Sequence, residues 1–202
     1  MTTLYGTSQS RAARSIWALE ELGVKYNHVP TSFAGETRTP EHLKRNPNGH
    51  VPVLEDDGEI FWESMAINLY LAAKYGKAPF WPEADAARGH AVQWSFWAMT
   101  EVEPHLMTVL MHKLFLPAEQ RSQKAVADAT SALGAPMAVL EAHLKGRGYL
   151  LGNEFTIADL NAASVLSLAA YVQHDLSGTP TAKAWYDKCL ARPAFKKASA
   201  MK

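Results

Sequence analysis

Cysteine is nearly missing from this chain of 202 residues: Cys189 stands alone. That excludes an intrachain disulfide framework, a CxxC redox pair and a cysteine metal cluster, and it fits a reducing, cytoplasmic setting. Charge of one sign is missing too. Twenty basic and twenty acidic residues cancel, so no broad positive field exists to recruit nucleic acid or an anionic membrane, and a small-molecule ligand is the expected partner. No apolar run is long enough to span a bilayer; the longest nearly continuous one is Leu160 to Val172. The opening MTTLYGTSQS lacks a basic region followed by an apolar core, so export is not expected either. None of the eight histidines falls in an HxxxH or HExxH arrangement, and His105 and His112 have no aspartate or cysteine near them. No metal site is expected on that spacing.

What is present is a 48% apolar composition, ample for packed cores. The first eighty residues change period several times. Thr3 to Gly6 reads as a short strand, and Arg11 to Leu22 sets Ala13, Ile16, Trp17, Leu19 and Leu22 near helical spacing before the stop Gly23. Lys25 to Val29 is a second strand. Val51 to Glu55 and Ile60 to Trp62 form a hairpin across Asp56, Asp57 and Gly58, and Ser64 to Tyr75 is a helix ending at Gly76. The order βαβ, a loose connection, then ββα is the plan of a thioredoxin-like domain over residues 1–77. Lys77 to Glu83, with two prolines, reads as a linker. From residue 84 to 202 no strand pattern recurs: Ala86 to Leu116, Ala118 to Leu144, Ile157 to Tyr171 and Thr181 to Leu190 are helical, with Pro104 and Pro136 placed to kink or split the two long stretches. The fold class is therefore α/β plus all-α.

Four features stand in order along almost the whole chain: Ser10, Val51-Pro52, Glu63-Ser64, and Thr156 with Asp159. Ser10 lies where the first strand yields to the first helix, a place for an N-cap and equally for a hydroxyl facing an anion. Val51-Pro52 is either a plain strand edge or a cis bond that turns the main chain of Val51 outward. Ser64 opens a helix behind Glu63, either as a cap beside a solvated glutamate or as a donor paired with an acceptor. Thr156 and Asp159 have capping-box spacing and read as structural. Trp97, Glu101 and His105 recur at spacing four, a polar stripe or a half-solvated helix surface.

In that register, LYGTSQSRAAR, NPNGHVPVLED, WESMAINLYLAAKYG and FTIADL resemble the cytosolic glutathione transferase family, in particular its theta-like and related bacterial and fungal serine-type members. The resemblance spans both domains. It implies a transferase that binds glutathione as co-substrate on the first domain and passes its sulfur to a small electrophile held against the helical one. By this resemblance Pro52 is cis and Val51 pairs with the cysteinyl backbone. Ser64 takes the γ-glutamyl carboxylate, Glu63 the α-ammonium, and His42 and His50 flank the glycyl end. Ser10 would donate to the thiolate, since a serine hydroxyl is no base near neutral pH. A charge-assisted hydrogen bond of about 1.5–3 kcal/mol with a helix end of about 0.3–1 would lower a thiol pKa by roughly 1–3 units. Ser8, Thr7 or Tyr5 are the alternatives if the register slips. The resemblance further implies a symmetric homodimer. Glutathione-dependent isomerases, dehalogenases and peroxidases, and non-catalytic interaction modules, share the same motifs, so these readings stay open beside the transferase. The electrophile and the roles of Trp97, Glu101 and His105 are not fixed by the motifs.

Overall fold

The computed structural model describes Met1 to Met201, which divide into two compact units: Met1–Glu83 with the segment from Ala191 onward, and Ala84–Leu190. Among the described residues no helix is long and apolar enough to cross a membrane.

The first unit is built on strands β1 (Thr2–Tyr5), β2 (Tyr26–Val29), β3 (Val53–Asp56) and β4 (Glu59–Trp62), with helices α1 (Ala12–Leu22), α2 (Pro40–Arg45) and α3 (Ser64–Tyr75). The sheet order is β2-β1-β3-β4, with β1 and β2 parallel and the other pairs antiparallel. This is the thioredoxin-like plan. Leu4 and Leu54 face each other across β1 and β3, and both are fully buried with Ile16, Trp17 and Leu19 of α1 and Ile67 and Leu71 of α3. The hairpin closes through Asp57 and Gly58, both with positive φ, which is the twist a two-residue loop between antiparallel strands requires.

Two features of this unit depart from the sequence reading. The connection after β2 holds α2, capped by the Thr39 hydroxyl accepting from the His42 N–H at 3.3 Å. The helical domain does not run from 84 to 202: the last helix, Pro193–Ser199, belongs to the first unit, and residues 78–83 do as well. Phe195 meets Trp17 edge-on at 4.9 Å, Arg192 pairs with Glu21, Lys197 with Glu20, and the Ser8 hydroxyl donates to the Met201 carbonyl. A short helix opened by a proline carries too little periodicity to announce such a distant partner.

Asp56, fully buried, ties β3 to its neighbours by accepting from Thr2 Oγ1 (2.7 Å), Tyr70 Oη (2.9 Å), Tyr75 Oη (2.8 Å) and Lys74 Nζ (2.8 Å). Burial pushes its carboxyl up, but Lys74 and the three hydroxyls together outweigh this and hold it at about 2. A depressed folded pKa contributes stability above the ordinary carboxylate range that is lost as pH falls towards 2, here about 2 kcal/mol at neutral pH. Asp56→Asn is expected to lose that amount in urea unfolding at pH 7 and to converge on the wild type near pH 2. A constant difference across that range would show that the charge of Asp56 contributes nothing.

The second unit contains α4 (Asp85–Trp97), α5 (Glu103–Leu110), α6 (Gln123–Ala132), α7 (Gly134–Leu144), α8 (Ile157–Leu166), α9 (Leu168–Tyr171) and α10 (Pro180–Leu190). Every residue of α8 is buried, which makes it the central helix, with α4, α9 and α10 packed on it. The stretch 86–116 is interrupted by π turns at Ala98–Val102 and Met111–Phe115, and Pro104 stands at the start of α5, where its missing N–H costs little. The stretch 118–144 divides at Leu133, and Pro136 falls in the first turn of α7. Thr156 and Asp159 form the capping box.

Candidate active site

Three chain segments of the first unit meet at one end of its sheet. Gly6, with φ +132°, ends β1; a Cβ there would lie 2.5 Å from the Cβ of Ala12 and 3.1 Å from that of Val51, so only glycine lets the start of α1 and the segment before β3 close on this point. Val51-Pro52 is a cis peptide. Sheet pairing of β3 begins at Val53, opposite Tyr5, and the main chain of Val51 makes no hydrogen bond among the described residues. The loop before it is fixed by Asn46, 2% exposed. The Asn46 amide donates to the His50 carbonyl at 2.9 Å, and its Oδ1 accepts from the Asn48 N–H at 3.0 Å.

Glu63 has φ 71° and ψ 115°, a conformation that costs a non-glycine residue about 1–3 kcal/mol and that clusters at ligand sites. The turn it makes delivers the chain from β4 straight into α3. The first bond at that end is Ile67 N–H to the Glu63 carbonyl at 2.9 Å, so the amides of Ser64, Met65 and Ala66 stand open at a positive helix end. The Glu63 side chain is exposed beside them, and Ser64 is buried at 3% with its Oγ accepting from Arg14 Nη1 at 3.4 Å. A zwitterionic group would find an acceptor and a set of donors side by side there.

The hydroxyls at the end of β1 differ in what engages them. Ser10 donates to the Thr7 carbonyl at 2.8 Å while its Oγ accepts from the Ala12 N–H at 3.1 Å, a local cap. Ser8 donates to Met201. Tyr5 donates to Glu55 Oε2 at 3.1 Å under the guanidinium of Arg45; burial and the Glu55 carboxylate push its phenol up. The half-buried Thr7 hydroxyl makes no hydrogen bond among the described residues.

The family profile described as glutathione S-transferase, N-terminal domain, matches residues 1–73, and its C-terminal-domain counterpart matches residues 102–193. The chain belongs to the glutathione S-transferase family. It is 32% identical over 201 residues to glutathione S-transferase GstB of Escherichia coli strain K12, covering 98% of this chain and 97% of that protein. To glutathione S-transferase 1 of Zea mays it is 34% identical over 207 residues, covering 98% and 95%. The theta class glutathione S-transferase of Xanthomonas axonopodis pv. citri, solved with glutathione bound, aligns at a TM-score of 0.88 and 29% identity over 100% of this chain and 98% of that one.

In this transferase His42 and His50 occupy different environments. His42 is 4% exposed, with Nε2 bonded to the His50 carbonyl at 2.9 Å, so its ring fastens the loop from behind. The His50 ring is exposed. Along the helical unit, the π turn at Ala98–Val102 closes i to i+5 bonds, so a spacing of four no longer keeps Trp97, Glu101 and His105 on one face. Trp97 packs edge-on against Trp94 at 4.9 Å, and Glu101 is exposed beside the Thr100 hydroxyl. Three residues that shape this end of the first unit carry no signal in isolation: Gly6, Asn46 and Arg14. Asn46 stands inside NPNGHVPVLED, where the loop-organising side chain was legible in type but not in role.

Proposed function

We propose that the first unit binds glutathione along the edge formed by Val51, Glu63 and Ser64, and that the protein conjugates it to a small electrophile. The observation that carries this is the left-handed Glu63 presenting three open amides near a main-chain segment, Val51, that no strand pairs. An extended γ-linked tripeptide satisfies both: its cysteinyl unit pairs with Val51, and its α-carboxylate seats on Ser64 and the start of α3. Glu63 receives the α-ammonium, and His50, whose ring is exposed while that of His42 is buried and bonded to the loop, is the histidine available to the glycyl carboxylate. Ser10 serves the sulfur by turning its proton from the neutral Thr7 carbonyl to the thiolate, an exchange favoured because an anionic acceptor forms the stronger bond. Thr7, with its hydroxyl unengaged, is the alternative donor.

Met111, Leu114 and Phe115 are exposed together around the second π turn, on the helical unit. A homodimer is supported by exposed Ile60 and Trp62 on the edge strand β4 and by exposed Val92 and Phe96 on α4, apolar surface that a second copy would cover. A cytoplasmic location accords with the lone buried thiol of Cys189.

Calorimetric titration with glutathione, followed by conjugation of an electron-poor aryl chloride and by light scattering for mass, tests this. Saturable binding, thioether formation and a dimer mass are expected. Binding without conjugation would redirect the reading to a different glutathione-dependent reaction, and no binding would sink it.

A further inference from the structure

The residue that sequence reading left without a task is Arg14. It lies on α1, 4% exposed, and an arginine is so deeply buried only when it is paired. Its Nη1 donates to Ser64 Oγ at 3.4 Å, and the Asn68 amide of α3 donates to its main-chain carbonyl at 3.3 Å, so α3 grips this residue twice near its own first two turns. A guanidinium has donors and no acceptor. Ser64 Oγ can therefore only receive from Arg14, and the single proton of Ser64 must point elsewhere. Among the described residues that hydroxyl donates to no acceptor, and Ser64 itself opens α3 beside the open amides of Ser64, Met65 and Ala66.

We propose that Arg14 is a positioning residue for the γ-glutamyl end of glutathione, which it serves by fixing the Ser64 hydroxyl as a donor to the α-carboxylate. This rests on the reading that Ser64 and the start of α3 take that carboxylate. The resulting chain runs from Arg14 N–H to Ser64 Oγ and from the Ser64 O–H to the ligand, each bond polarising the next. Arginine suits the task better than lysine because the planar fork reaches the hydroxyl with a fixed orientation and never loses its charge.

The test is calorimetric titration of the full-length protein with glutathione and with its γ-glutamyl α-carboxamide, in which an NH₂ group replaces one carboxylate oxygen and the negative charge is lost. Wild type, Arg14→Gln, Arg14→Lys, Ser64→Ala and the Arg14→Gln/Ser64→Ala double variant are compared by the ratio of the two dissociation constants. Arg14→Gln and Ser64→Ala are each expected to cut the preference for the carboxylate about 10-fold, and Arg14→Lys about 3-fold. The double variant should lose no more than Ser64→Ala alone, since the two residues act through one hydroxyl. An arginine that only holds the fold would weaken both ligands alike. An unchanged ratio in whichever Arg14 variant folds, with the ratio lowered in Ser64→Ala, overturns the proposal and leaves the role of Ser64 standing. An unchanged ratio in Ser64→Ala itself overturns the reading on which the proposal rests.

Discussion

Ser10→Ala is expected to raise the thiol pKa of bound glutathione by about 1–2 units and to slow conjugation near pH 6.5 by roughly 10–100-fold, with glutathione affinity largely retained. The magnitude follows from removing one hydrogen bond to an anion, about 1.5–3 kcal/mol, at 1.36 kcal/mol per pKa unit. The sign follows from the acceptor: a donor aimed at sulfur stabilises the thiolate alone, so its loss moves the titration towards the free thiol. The structure also predicts a separate, smaller cost. Ser10 bonds the Thr7 carbonyl and receives the Ala12 N–H, a cap whose removal lowers folding stability by about 1 kcal/mol. Thiolate absorbance against pH and urea unfolding therefore read two different functions of one hydroxyl. A pKa that stays low in Ser10→Ala and rises in Thr7→Ala would transfer the role to Thr7, whose hydroxyl has no competing acceptor among the described residues.

Asp159→Ala should act on folding and not on chemistry, with a loss of about 3–5 kcal/mol, a large share of the 5–15 kcal/mol that holds a domain together. Asp159 is fully buried, and burial pushes its carboxyl up against the pull of four hydrogen bonds. Oδ1 accepts from the Leu150 N–H at 2.7 Å and the Trp185 indole at 2.9 Å; Oδ2 accepts from the Thr156 N–H and hydroxyl, each at 2.9 Å. Alanine leaves all four donors without an acceptor inside the core. Asn is the sharper probe. It is nearly the same shape, yet either orientation turns an NH₂ group towards two donors, so Asp159→Asn should rescue little of the loss. Soluble yield and urea midpoints measure this. A stable Asp159→Ala protein with lost turnover would mean that the carboxylate takes part in the reaction.

The turn at Asp57-Gly58, the stop at Gly23, the helix opening at Ser64 and the capping box of Thr156 and Asp159 were legible in the sequence because each is settled within about four residues by dihedral preference, apolar period or a short side-chain reach. The same holds for the βαβ then ββα order and for the family motifs, which are local strings in a fixed register. Tertiary packing alone decided the rest. Asp159 reads as a cap in sequence, but only the fold brings Leu150 and Trp185 to its other oxygen. Helix-start position favours Ser10 among the four hydroxyls at the end of β1, but what engages the others is decided by Met201 arriving from the far end of the chain and by Glu55 lying across the sheet. Arg14 drew no reading from the sequence, and becomes a buried donor only when α3 packs on α1. The physical reason is one of range: backbone propensity and capping act over a turn of chain, whereas the partner of a buried polar group is chosen by whichever distant segment closes the core around it.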